Sequence, residues 1–366
     1  MNRMYMAARC VAVAIALLIT TIAQTNAAPV AANDIARYLA GLAPAPESPL
    51  AALTRERNWQ FHASTLNKAW ARIEKNQLKP IRAWSKTHIP AHQKQMLYMF
   101  SGPDFLYADA FYPNAETYVL SALEPIGPIP QIWRLSPGGR AGALQELRGS
   151  MQAVLSYSFF ITKQMKSDLR SGNMRGALPV LFVFLARSGN TITDVEYVHL
   201  NPDGLAVPKN AKLKGSSPGV RIAFKDEAGK ARTLYYFQTD LSNGGLRRSG
   251  LRAFSQGLGR ADSLVKSASY LLHSGNFSEA RKFILKQSDV IVQDDSGIPL
   301  RFFNRKTWQL SPFGRYVGPI SIFPRNYQRD MAALFSRSKN RKMTFGIGYR
   351  WRRHETHVLL AIRKNP

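Results

Sequence analysis

"YMFSGPDFLYADAFYPNAETYVLSALEPIGPIP", residues 98–130, is the stretch whose reading decides the fold. Two apolar runs, 95–102 and 117–123, read as strands. The first stops at Gly102-Pro103 and the second at Glu124-Pro125, because proline offers no N–H to a sheet ladder. The segment between them is short for a crossover helix, and no Gly-x-Gly follows the first run. Helices and hairpins elsewhere are interspersed without regular βαβ alternation. The expected fold is therefore α+β, a mixed and largely antiparallel sheet with packed helices. The alternative is a doubly wound α/β sheet. In it both runs are parallel strands, and Glu124 lies at a carboxyl edge where ligands bind.

On the N-terminal side, residues 54–79 read as a helix with Leu66, Trp70 and Ile73 on one face, ended by Pro80. "AANDIARYLAGL" (31–42) makes a short helix, and "APAPESP" (43–49) a linker. This gives a helical N-terminal segment over 28–92 and an α+β main domain over 93–366. On the C-terminal side, residues 142–172 read as a long helix and "ALPVLFVFLA" (177–186) as a buried strand. Hairpins are expected to turn at Ser188-Gly189-Asn190 and near Ala228-Gly229. Residues 254–287 return to helix, "DVIVQDDSGIPLRFF" (289–303) reads as strand, turn and strand, and 327–338 as a short helix. "MTFGIGYRWRRHETHVLLAIRK" (343–364) reads as a final hairpin.

The extreme N-terminus reads as an export signal. Arg3 and Arg9 precede "CVAVAIALLITTIA", an apolar run too short for a stable anchor, and Thr25 and Ala27 suit a signal peptidase. Cleavage after Ala27 would place the protein in a bacterial periplasm or outside the cell. It would also remove Cys10, the only cysteine, which leaves no disulfide, thiol catalysis or zinc-thiolate site. No later segment is expected to span a membrane. The formal charge is +27, and residues 296–366 hold fifteen Lys and Arg against Asp330 and Glu355. Such a field favours anionic partners such as lipopolysaccharide, acidic glycans or anionic lipid. No nucleic-acid fold signature accompanies it.

Three motifs are discounted. "GSSPG" (215–219) matches a Ser nucleophile pattern, but a strand follows where a helix is required. "SLVK" (263–266) matches Ser-x-x-Lys, yet the pattern recurs at Ser336–Lys339 with no Lys-Thr-Gly. "HETH" (354–357) lies in a strand or turn, where its spacing points the histidines apart. No cofactor and no metal set is expected.

Stronger candidates are acids at strand-ending breaks: Asp104, Glu124, Asp294 and Asp295, with His273 as a proton shuttle. Carboxylates are scarce in this chain, and paired carboxylates can divide the work of general acid and base. The second candidate set is basic: Arg341, Lys342, Arg350, Arg352 and Arg353, around "GYRWRR" (348–353). In a strand, Arg350 and Arg352 would share one face and bind anions.

"MFSGPDFLYADAFYPNAETYVLSALEPIG", "KSASYLLH", "QDDSGIPLRFF" and "GRYVGPISIF" together resemble a family of bacterial exported proteins of unknown function, over about residues 60–350. The resemblance implies no activity, cofactor or partner. It implies only that Asp104, Glu124, His273, Asp294 and Asp295 belong to pieces that recur together. Two expectations follow: an exported protein binding an anionic envelope component on its basic face, or a periplasmic hydrolase using the strand-end carboxylates.

Overall fold

A computed structural model describes residues 30–90, 94–157, 159, 172, 174–209, 216–338 and 342–364. The predicted export signal, most of the second half of the predicted 142–172 helix and Arg341 lie outside the described residues. The first elements are helical: α1 (Ala32–Leu39), α2 (Pro49–Leu53), α3 (Arg57–Ile73) and α4 (Lys79–His88). Pro80 does not end the helix as expected. A π-turn over Glu74–Leu78 hands α3 on to α4. Pro80 falls in the first turn of α4, where its missing N–H costs little.

The two apolar runs form β1 (Gln95–Met99) and β2 (Thr117–Ala122), and they pair in parallel. Contrary to the expectation that the connection is too short for a crossover helix, a single helix, α5 (Phe105–Phe111), makes it, and its first turn is capped by Asp104. Next come α6 (Pro137–Tyr157) and α7 (Leu178–Arg187). The expected strand over 177–186 is thus a helix, buried from Leu178 to Ala186. Periodicity cannot separate a short all-apolar helix from a buried strand; Pro179 in the first turn was the cue.

Strands β3 (Thr191–Leu200), β4 (Ala206–Pro208), β5 (Ser217–Lys225) and β6 (Ala231–Gln238) follow. The β5–β6 hairpin forms as read, whereas Ser188-Gly189-Asn190 joins α7 to β3. The predicted 254–287 helix is replaced by several elements. Helices α8 (Asn243–Arg248) and α9 (Leu251–Gly257) precede a buried strand, β7 (Ala261–Val265), and α10 (Ser278–Gln287) comes after it. Strand β8 (Ser288–Gln293) forms as expected, but its predicted partner over 299–303 is a 3-10 turn, and β9 (Trp308–Gly314) lies farther on. Helix α11 (Arg329–Arg337) is where it was read. The final hairpin reduces to one strand, β10 (His357–Arg363), which pairs with β8 and β9.

All ten strands join one mixed sheet in the order β4-β3-β5-β6-β2-β1-β7-β8-β10-β9, and helices pack against it, an α+β arrangement. Five pairings are antiparallel and flank a central parallel block, β6-β2-β1-β7-β8. Strand alternation sorts the core into two layers. Met96, Tyr98, Tyr118 and Leu120 face one apolar cluster with α1 and α3 to α7. Leu97, Met99, Val119 and Val265 face a second cluster with α8 to α11. Covering both faces suits the parallel strands, of which β1, β7 and β8 are buried throughout. Among the described residues no helix is long and apolar enough to cross a membrane.

Candidate functional site

The carboxyl ends of β6, β2, β1, β7 and β8 lie along one edge of the sheet, because these strands are parallel. From β1 the chain builds β2 and then β6 on one side, and β7 and β8 on the other. The connections therefore diverge between β1 and β7, where an open sheet leaves a crevice. A cavity of about 170 Å³ opens at that place. Its walls are the segments after β1 (Phe100 to Gly102, Asp104), β2 (Leu123, Glu124), β6 (Thr239 to Leu241) and β7 (Lys266 to Ser269).

The floor is ionic. Lys266 Nζ lies 2.8 Å from Asp104 Oδ2, and both side chains are 1% exposed. Asp104 also accepts from the Tyr98 hydroxyl at 3.0 Å and from the Tyr107 N–H at 3.2 Å. The ammonium stands 4.0 Å from the centre of the Tyr107 ring. Burial and the Asp104 charge hold the Tyr98 phenol far above its usual range, so it stays a donor. Removing two charges from water is expensive, and such a pair needs this many partners to persist.

Two hydroxyls that line the cavity, Ser267 Oγ and Thr239 Oγ1, are buried without a hydrogen-bond partner. Apolar walls come from Phe100, Leu123, Leu241, Leu271 and Phe277. The backbone is strained here. Phe100, Ser267, Ser269 and Tyr270 have φ of 64°, 52°, 50° and 54°, and they are the non-glycine residues with positive φ among the described residues. Left-handed conformations of such residues cluster where surroundings over-determine the chain.

The loop after β8 holds the β7 loop from behind. Asp294 accepts from the N–H groups of Ser267 and Ser296, both at 3.0 Å, and from the Ser296 hydroxyl. Ser296 Oγ accepts from the Ala268 N–H at 2.8 Å. The Tyr349 hydroxyl donates to the Ser267 carbonyl at 3.0 Å. Burial, then the neighbouring Asp295 charge, raises the Asp294 pKa. For Asp295 burial also raises it, but His357 and Tyr270 outweigh burial and leave it below the usual value.

The predicted acids therefore separate. Asp104 and Glu124 line one cavity, and Glu124 is 5% exposed. Asp294 braces the cavity's β7 loop. Asp295 belongs to another cluster: its carboxylate accepts from Tyr270 at 2.9 Å and lies 3.4 Å from His357 Nε2. His273 does not join Asp104 or Glu124 in lining the cavity; its Nε2 lies 3.2 Å from the Asp295 carbonyl, and burial lowers its pKa.

The basic candidates are corrected more heavily. "GYRWRR" is not a strand; Ile347 and Arg350 form an isolated bridge around a turn. Arg350 donates to the carbonyls of Gly318 at 3.1 Å and Pro319 at 2.6 Å, so it holds a loop. Arg353 donates to the Asn76 carbonyl at 3.2 Å. Arg352 is exposed and lies over Trp351, and Lys342 is exposed.

Sequence reasoning missed Lys266, Ser267 and Thr239. Lys266 was set aside with Ser263 as a chance motif on a helix. Ser263 in fact bonds Ser288 within the sheet at 2.6 Å. The available signal was a lone lysine closing "ADSLV" and followed by the small residues Ser-Ala-Ser. Among the described residues no cluster of three or more His, Cys, Asp and Glu is arranged to hold a metal. No family model matches the chain, and no curated protein and no solved structure matches it.

Proposed function

We propose that this protein is a hydrolase acting in the β1–β7 crevice on a small molecule with a hydrogen-bonding head and an apolar arm. The observation that carries the reading is the Lys266–Asp104 pair, fully buried at the floor of a cavity at the sheet's divergence point. A hydrophobic pair of similar size would be no less stable there, so the charges point to chemistry. In this reading Glu124 takes a proton from the attacking water and returns it to the leaving group. The Lys266 ammonium faces the negative charge that develops on the substrate, and Asp104 positions it. Ser267 and Thr239 bind the polar head, and Phe100, Leu123 and Leu271 bind the arm. An exported location, as the N-terminal signal suggests, would make the substrate an envelope component.

The test is a panel of chromogenic acyl esters, glycosides and phosphate esters given to the purified protein. One class is expected to turn over, with E124Q reducing kcat by about 10²-fold and K266M by about 10²–10³-fold. Circular dichroism melting should confirm that E124Q folds. Full activity in folded E124Q would overturn the reading.

A second reading rests on the charge of +27. The exposed Lys342 and Arg352 would then hold an anionic envelope component such as lipopolysaccharide, an acidic glycan or anionic lipid.

A further inference from the structure

The opposite edge of the sheet carries a separate cleft of about 520 Å³. It lies between the α3–α4 junction, the end of α5, the turn after α7 and the β5–β6 turn, and is far more polar in make-up than the crevice. Two of its ion pairs are closed. Arg82 is bound to Glu74, and Arg232 lies 2.5 Å from Asp226 while also donating to the Ala115 carbonyl.

Three charged groups in the cleft are left over. Arg187 donates through Nε to the Ala40 carbonyl at 2.7 Å, but its Nη2 is buried without a partner. No carboxylate lies within 4.0 Å of it among the described residues. Burial pulls its guanidinium down to about 10. Asn190, three residues on and 7% exposed, also has a buried amide nitrogen with no partner. Asp109 accepts one bond, from the Tyr118 hydroxyl at 3.3 Å. Burial raises its carboxyl to about 6 against the pull of the Arg82 and Arg232 charges, and among the described residues no cation lies within 4.0 Å of it. Glu227 packs against Gly189, beside Asn190, and is exposed.

We infer that this cleft binds a small zwitterion of the α-amino-acid class, its carboxylate on Arg187 and Asn190 and its ammonium toward Asp109 and Glu227. An unpaired guanidinium beside an amide donor matches the planar geometry of a carboxylate. Three arginines and four acids line the cleft, so a dianionic phosphate is disfavoured and a ligand with an ammonium group is accommodated. Trp70, over which Arg187 lies at 6.0 Å, offers an apolar face for the ligand's carbon chain. This inference is independent of the hydrolase reading, because the two sites share no residue.

Isothermal titration calorimetry of the full chain with L-arginine, L-alanine, acetate and inorganic phosphate tests it. Saturable binding of the amino acids is expected, at least tenfold tighter than acetate or phosphate. N190A should weaken amino-acid binding about tenfold, and R187Q by more. D109N should reduce the preference for an amino acid over acetate. If R187Q does not fold, N190A and D109N decide. Absence of amino-acid binding, or binding that N190A and D109N both leave unchanged, would overturn the proposal, as would tighter binding of phosphate.

Discussion

Asp104 and Lys266 hold each other at the cavity floor, and the cost of separating them is unequal. In D104N an ammonium is left where 1% of the side chain reaches water. Chemical denaturation should show a loss of about 3–5 kcal/mol. K266M should lose less, because the Tyr98 hydroxyl and Tyr107 N–H still satisfy Asp104. The double variant D104N/K266M should be more stable than the sum of the two losses predicts; additivity would show that the pair is not a coupled unit. Gly348 offers a second check. Its φ is +65°, and a Cβ there would sit 1.8 Å from Asp294 Oδ2. G348A should destabilise by about 1–3 kcal/mol and loosen the Tyr349 contact with the β7 loop. At this scale the acids were legible and the lysine was not. With 23 Asp and Glu against 50 Lys and Arg, an acid at a break stands out, whereas one more lysine carries no signal.

Element by element, the readable parts were those whose pattern is local. Strands β1 and β2 are bounded by proline, and the β5–β6 hairpin carries its own turn. Strand β7 was hidden because its five residues, Ala261–Val265, are too few to break the helical pattern on either side. What makes them a strand is pairing with β1, far away in the chain. Helix α3 gives a pH-dependent test of element packing. His62 is fully buried; its Nε2–H donates to the carbonyl of Leu39, the last residue of α1, at 2.8 Å, and its Nδ1 accepts from Arg148 of α6 at 3.1 Å. Burial lowers its pKa to about 4. Between that value and the ordinary 6.5, the unfolded chain binds a proton that the folded chain refuses. Stability should therefore fall as pH drops from about 6.5 to about 4, by up to about 3 kcal/mol from this residue. H62Q should flatten that part of the Tm against pH curve. An unchanged slope would mean that other groups set it.

For the whole molecule, the sheet assembles the candidate site where no local pattern does. The crevice exists because β1 lies between β2 and β7, a long-range choice that the 98–130 stretch could not reveal by itself. The same stretch still named two of the cavity's residues, Asp104 and Glu124, since strand ends and ligand sites coincide in a parallel block. Charge behaves differently at this scale. The net +27 is a property of the surface, but individual arginines that contribute to it are tied into the fold. This separates two kinds of variant. If the protein holds an anionic envelope component, retention on vesicles containing phosphatidylglycerol should drop steeply between about 50 and 200 mM salt, as ion release requires. K342Q with R352Q should weaken retention at each salt concentration while leaving Tm unchanged, because both side chains are exposed. R350Q should do the reverse, lowering Tm through the lost bonds to Gly318 and Pro319 with little change in the salt slope. Retention that ignores salt, or that responds to R350Q alone, would overturn the reading of the basic face as an anion-binding surface and leave the crevice as the candidate site.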